Sequence, residues 1–449
     1  MVAARRPAQP VGRPRFMNVM NVQQAGEACA VSEKKYRVLL VATHPTQYSA
    51  PAYQRLARDP RVEIQVAYCS LQGASAGFDP GFGREVEWDI PLLEGYPWAQ
   101  LPNRSPRPGL ERFGGLVNTG LWKLIRRGQF DAVIFYTGYR YATFWLGLLA
   151  AKASRTAVLF GTDAATLDSR DGRAWKRRVK RLLWPLLFRL ADVAIVPSTT
   201  GMNLMRSLGF PENRVALTPY VVDNQRWEEA AARTNRTAVR SGWAIPADAS
   251  VIVFSAKLQP WKRPLDLVRA FARAAVPGSY LLLAGEGPLR PAIEKEVEQL
   301  GLKDRVKMLG FVNQSALPEV YRAADVLVLP SDYEPFGVVV NEAMLCGCVP
   351  IVSDKVGARL DLVDAGSTGF VFPVGDVERL ASLLSGLLGD TARLRRISEA
   401  ARQRVADWSP QLGVDRLLQA IGMARNVAAG NHPGRRAAER CFRAPSGES

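Results

Sequence analysis

Histidine and cysteine are scarce in this chain: two and five residues, respectively, among 449. The cysteines, Cys29, Cys69, Cys346, Cys348 and Cys441, are odd in number and scattered. That excludes a disulfide scaffold and fits a reducing compartment. Cys346-Gly-Cys348 is too short for a two-cysteine metal knuckle, and His44 and His432 are too few to complete a zinc site. Long apolar runs are missing as well. No stretch approaches the roughly 20 residues needed to cross a bilayer, and residues 1–31 contain no apolar run of signal-peptide length. The expectation is a cytoplasmic protein. Negative charge is also short, with 42 acidic against 59 basic residues and a net charge of +17. Such an excess calls for an anionic partner, and nucleic acid, anionic lipid or a phosphorylated substrate would each meet it.

The length exceeds what one hydrophobic core serves, so two domains are expected. Hydrophobic residues make up 47% and charged residues 22%, the balance of a globular protein. Continuous β-rich apolar runs at 37–42, 62–68, 132–136, 157–160 and 193–196 alternate with helical patterns. A second such series occupies 251–254, 280–284, 306–309, 326–329 and 350–352. This alternation predicts two α/β, Rossmann-like domains with parallel sheets. Ligands of such domains bind at strand carboxyl ends, which places a site in the cleft between them. The expected organisation is a disordered segment 1–35, a first domain 36–225, a polar linker 226–245 and a second domain 246–405. Helices at 406–426, free to cross back to the first domain, and a disordered basic tail 427–449 complete it.

The most informative stretch is Ser331-Asp-Tyr-Glu334-Pro-Phe336-Gly337-Val338-Val339-Val-Asn-Glu342. It follows a strand and opens a helix, whose amino end near Val338 offers unpaired N–H groups to a diphosphate. Glu334 lies in the loop and Glu342 one turn into the helix. A second stretch, Ser255-Ala-Lys257-Leu-Gln-Pro-Trp-Lys262, places two cations after another strand. They are suited to neutralising charge on a departing diphosphate. Gly285-Glu-Gly287 follows a third strand, where a plain turn reads equally well.

Together these segments resemble the signature of retaining GT-B glycosyltransferases of the family 4 type. The resemblance covers the second domain well and the first in outline. It implies the GT-B fold and transfer of a sugar from a UDP-, GDP- or ADP-sugar to an acceptor, with retention at the anomeric carbon. Glu334, Lys262 and Lys257 would be catalytic, with Glu334 facing the donor sugar. Glu342 would hold the ribose, while Phe336, Gly337, Val338, Val339, Gly285, Gly287, Phe311 and Val312 would line the donor site. No cofactor and no metal are implied, and the sequence contains no Asp-x-Asp pair.

In the first domain, Thr43-His44-Pro45-Thr46-Gln47-Tyr48 follows the first strand, in a form seen in a subset of that family. His44 and Gln47 are expected to point into the cleft toward an acceptor or a phosphate. Tyr139, Arg140 and Asp163, each just beyond a strand, are further acceptor-side candidates, although aromatic residues there also suit a core. Relatives often carry a histidine near 136–140, and this chain has none.

Residues 173–190 combine a basic cluster with bulky apolar side chains. Two readings fit equally: a helix lying on an anionic membrane, and a core-packing helix with a solvated basic face. Two rival functions also stand. One is an epimerase or phosphorylase on the same fold, for which the histidines and a cofactor-lysine context are missing. The other is a basic nucleic-acid-binding or regulatory protein, although no nucleic-acid-binding module is recognisable.

Overall fold

A computed structural model of the chain describes residues 35–168 and 173–430. The disorder expected for the two ends concerns segments that lie, apart from residues 35 and 427–430, outside the described residues. The first domain is built on strands β1 (Tyr36–Ala42), β2 (Val62–Tyr68), β3 (Gly77–Asp79), β4 (Arg84–Val86), β5 (Trp98–Gln100), β6 (Ala132–Phe135), β7 (Ala157–Gly161), β8 (Val193–Val196) and β9 (Val215–Leu217). Seven of these form a parallel sheet in the order β5-β2-β1-β6-β7-β8-β9, and β3 and β4 form a separate antiparallel hairpin. The second domain carries β10 (Ser250–Ser255), β11 (Ser279–Ala284), β12 (Val306–Gly310), β13 (Val326–Leu329), β14 (Val349–Ser353) and β15 (Phe370–Phe372). They form one parallel sheet in the order β12-β11-β10-β13-β14-β15.

The apolar runs become central strands because helices cover both faces, leaving no side for a polar residue. Leu39, Leu40 and Val41 of β1, like Val251, Ile252, Val253 and Phe254 of β10, have no appreciable exposure. In each sheet the chain winds outward in one direction and then restarts on the other side of the first strand. The order therefore reverses between β1 and β6, and again between β10 and β13. Loops leaving adjacent strands at such a reversal part in opposite directions and open a crevice. The loops so placed are 43–48 and 136–141 in the first domain, and 256–262 and 330–338 in the second.

The stretch 226–245 is not a linker. It forms helices Asn224–Arg233 and Arg236–Gly242, whose Trp227 and Arg240 are buried in the second domain. Arg240 donates to the carbonyls of Ala323, Ala247 and Ala249 and to the Asp325 carboxylate. The polar composition belongs to the outer faces of short helices that bury few residues each. The last helix, Pro410–Ala428, sets Val414, Leu417 and Ile421 against the first sheet, in one core with Leu40, Ile134 and Leu159.

Candidate active site

The second-domain loops are held together by close backbone approach. Gly285 brings its loop so near residue 256 that a Cβ would lie 2.0 Å from the Ala256 carbonyl oxygen. At Gly287 a Cβ would lie 2.8 Å from the oxygen of Leu258. The Leu258 N–H donates to the Glu286 carbonyl at 2.8 Å, tying the lysine loop to the glycine pair. These glycines therefore shape the loop bearing Lys257 and Lys262. A third, Gly337, has φ +96° in the turn that leads into helix Val339–Leu345, a conformation costly for any side chain.

Lys262 Nζ is hydrogen-bonded to Glu334 Oε2, and both side chains are largely buried. The Asp332 N–H donates to the Trp261 carbonyl at 2.9 Å, so the two loops are joined through main chain as well. Glu342 lies deeper. Its carboxylate accepts from the Tyr321 hydroxyl at 3.0 Å, and that hydroxyl is 3.0 Å from Ser255 Oγ at the end of β10. Burial pushes the Glu342 carboxyl up to about 7, against the opposing pull of Tyr321 and Arg226. Tyr321 carries no motif of its own, and Ser255 lies in the lysine stretch without a signal of this role.

Phe336 does not offer its ring to a ligand. It is 2% exposed, edge-on to Tyr220 and stacked on Trp408. The Trp408 indole N–H donates to the Tyr220 carbonyl at 2.8 Å. Both stretches that pass between the domains therefore meet around Phe336. Val338 and Val339 pack beside the second core, as does Val312.

Lys257 faces the first domain. Its Nζ donates to both carboxylate oxygens of Asp79 at 2.8 Å, and it sits 4.4 Å from the centroid of the Phe82 ring. Asp79 and Phe82 belong to the β3–β4 hairpin, which reaches across the cleft. Phe311 is enclosed by that hairpin, with Phe82 edge-on at 4.9 Å, Trp88 at 5.9 Å and the Arg84 guanidinium at 5.4 Å. The Gln259 amide donates to the Gly81 carbonyl at 2.8 Å, and that of Asn313 to the Glu87 carbonyl at 2.6 Å. Asp79-Pro-Gly81-Phe82-Gly83 carries the sequence signal of a tight turn, but nothing in it discloses the partner.

The acceptor-side candidates largely come together in another part of the cleft. His44, Tyr139, Arg140 and Asp163 line a cavity of about 650 Å³ that also takes in Tyr333, the neighbour of Glu334. Gln47 is half-buried but is not among the lining residues. Aromatic rings recur along the walls, among them Tyr48, Tyr53, Tyr136, Tyr220 and Trp184. Burial holds the His44 imidazole below its ordinary range, and its buried Nδ1 has no hydrogen-bond partner. The ring is therefore neutral at neutral pH. Tyr48 keeps 44% of its surface exposed. Desolvation of its phenol, followed by the charges of Glu334, Asp163 and Asp79, pushes it up to about 12. Among the described residues, no three His, Cys, Asp or Glu side chains gather as a metal site.

Helix Ala174–Arg189 forms one wall of this cavity through Lys180 and Trp184. It buries only Trp184, Leu187 and Phe188. Trp175, Val179, Leu182 and Leu186 recur every three or four residues along an exposed stripe that Leu190 continues, with Leu182 reaching 72% exposure. Arg178 is exposed beside it, while Arg177, which pairs with Asp168, and Arg181 are exposed on other sides of the helix. Among the described residues no helix is long and apolar enough to cross a membrane.

Two parallel sheets with facing switch points, and cations and acids on the loops between them, define the GT-B architecture. The chain belongs to the group 1 glycosyl transferases: the family described as "Glycosyl transferases group 1" matches residues 235–404, and the "Glycosyl transferase 4-like domain" matches residues 74–221. The 2-deoxystreptamine N-acetyl-D-glucosaminyltransferase of Streptomyces fradiae is 29% identical over 276 residues, 61% of this chain and 57% of that protein. The D-inositol 3-phosphate glycosyltransferase of Mycolicibacterium smegmatis is 33% identical over 204 residues, 44% of this chain and 46% of that one. The chain spans about half the length of the curated relatives it matches. Among solved structures, Anabaena HepE in complex with UDP shares the fold with a TM-score of 0.66. The two are 20% identical, and the match covers 87% of this chain and all of that one.

Proposed function

We propose that this chain transfers a sugar from a UDP-, GDP- or ADP-sugar to an acceptor hydroxyl, with retention of anomeric configuration and without a metal ion. The observation that carries the reading is the Lys262–Glu334 pair, set at the β10/β13 switch point beside the cavity shared by both domains. In the reaction the bond between the anomeric carbon and the diphosphate oxygen breaks. Charge then grows on the diphosphate, where Lys257 and Lys262 receive it; in a water-poor cleft such fixed cations are worth far more than in bulk solvent. The acceptor oxygen bonds to the same face of the sugar, and its proton passes to the departing diphosphate, so no protein base is needed. Glu334 orients the donor sugar and Glu342 accepts from the ribose hydroxyls. His44, which lines the cavity, hydrogen-bonds the acceptor.

The acceptor is a carbohydrate, lipid-linked or small-molecule alcohol, in keeping with the aromatic cavity, since sugars and apolar groups both pack on ring faces. A role in cell-envelope polysaccharide or glycolipid synthesis is part of this reading. The Trp175–Leu190 stripe, with Arg178 beside it on a strongly basic helix, supports docking on an anionic membrane surface, because it pairs exposed apolar area with positive charge. The test is a thermal-shift panel of nucleotide-sugars, followed by mass spectrometry of products formed with candidate acceptors. Binding of at least one nucleotide-sugar and acceptor-dependent release of its nucleoside diphosphate are expected. Turnover without an acceptor, or salt-sensitive nucleic-acid binding with no transfer, would replace this reading.

A further inference from the structure

The β3–β4 hairpin touches the same second-domain groups that the proposed reaction needs for its donor. Lys257 is assigned there to the diphosphate, yet in this structure its ammonium donates to both oxygens of the Asp79 carboxylate. The approach is built into the hairpin tip. At Gly81 a Cβ would lie 2.7 Å from Lys257 Nζ, so the ammonium rests directly against the glycine of the turn. The same carboxylate accepts from the N–H groups of Gly81 at 2.7 Å and Phe82 at 3.1 Å, which fixes it at the tip. Burial works against its charge, but Lys257 and these two N–H groups outweigh that and hold the carboxyl below its usual range.

We propose that Asp79 is a donor-affinity residue contributed by the first domain: an internal anion on Lys257 that the donor's diphosphate must displace as the hairpin moves off. This inference rests on the assignment of Lys257 to the diphosphate. One carboxylate satisfies one ammonium, so a ligand gains from Lys257 only if its own charge outcompetes Asp79. The exchange lowers the affinity for nucleoside diphosphates and leaves that for uncharged nucleosides unchanged, and it keeps Lys257 from standing bare in the cleft. Phe82 travels with Asp79, so the same movement uncovers Phe311.

The variant Asp79→Asn tests this in the full chain. Its amide oxygen can still accept from Gly81 and Phe82, so the turn persists while the charge on Lys257 goes; an unchanged melting temperature checks the fold. UDP, GDP and ADP are titrated calorimetrically, with the matching nucleoside measured by ligand-observed NMR. The best-bound diphosphate should gain about three- to tenfold in affinity in Asp79→Asn, and its nucleoside should not change. In a Lys257→Gln background the same substitution should have no effect on the diphosphate. Unchanged or weaker diphosphate binding in Asp79→Asn overturns the exchange, and so does an equal gain for nucleoside and diphosphate, which would mark a purely steric plug. If wild type and variant alike bind no nucleotide, the donor assignment has failed and the inference goes with it.

Discussion

The Tyr321 hydroxyl donates to the Glu342 carboxylate at 3.0 Å inside the second domain, within reach of Ser255 at the end of β10. This carboxyl is 5% exposed, and its burial pushes it up to about 7. The group takes up a proton on folding at pH values between the ordinary carboxylate range and about 7. Its contribution to stability is thus fully present in acid and is lost as pH rises through about 7.

Wild-type protein should therefore lose on the order of 2–3 kcal/mol from this group between pH 5 and pH 8, and Glu342→Gln should not. Urea denaturation of both proteins across that range measures the difference. Parallel pH profiles would mean that Glu342 is charged throughout and better solvated than its burial implies.

The two glutamates should fail in different ways. Glu334→Gln keeps the shape beside Lys262 but removes the charge aimed at the donor sugar. Transfer should drop by about a hundredfold or more, with nucleotide affinity within a few-fold of wild type. Glu342→Ala should weaken the nucleotide itself by about tenfold, as expected when a carboxylate that accepts two hydroxyls is removed. Steady-state kinetics with calorimetry separate the two, and near-normal activity in both would show that the site lies elsewhere.

Helix Ala174–Arg189 makes a separate prediction. Leu182 and Leu186 are 72% and 59% exposed, so Leu182→Asp with Leu186→Asp should leave the fold intact. Each leucine buried in an interface contributes about 1.5–3 kcal/mol. The double variant should thus bind phosphatidylglycerol vesicles at least about tenfold more weakly than wild type. Wild-type binding should fade with added salt and be weak on uncharged vesicles. Failure of the wild-type protein to sediment with anionic vesicles at low salt would eliminate membrane docking.

Much of the second domain is legible from local pattern. Apolar runs such as 251–254 mark buried parallel strands, and the Glu334–Glu342 spacing shows where a loop turns into a helix. The stretch 226–245 misleads because Trp227 and Arg240 are single buried residues on otherwise solvated helices. Phe336 misleads in another way. Its place in a motif points to the donor, whereas its ring is closed in by Tyr220 and Trp408, which lie far away in the chain. Asp79 is not legible in the sequence because it sits in an ordinary turn, 178 residues before Lys257.

Strand order along the chain, the glycines that permit close approach, and the stock of cations and acids on the loops all follow from residue type and spacing, since backbone sterics and burial act over a few positions. Which acid faces which cation is another matter. Lys262 meets Glu334 within one domain, Lys257 meets Asp79 across two, and Glu342 turns inward to Tyr321. Those choices depend on which loops the strand order brings side by side and, for Lys257, on how the two sheets face each other, and Coulomb energy acts on distance in space, to which separation along the chain is no guide.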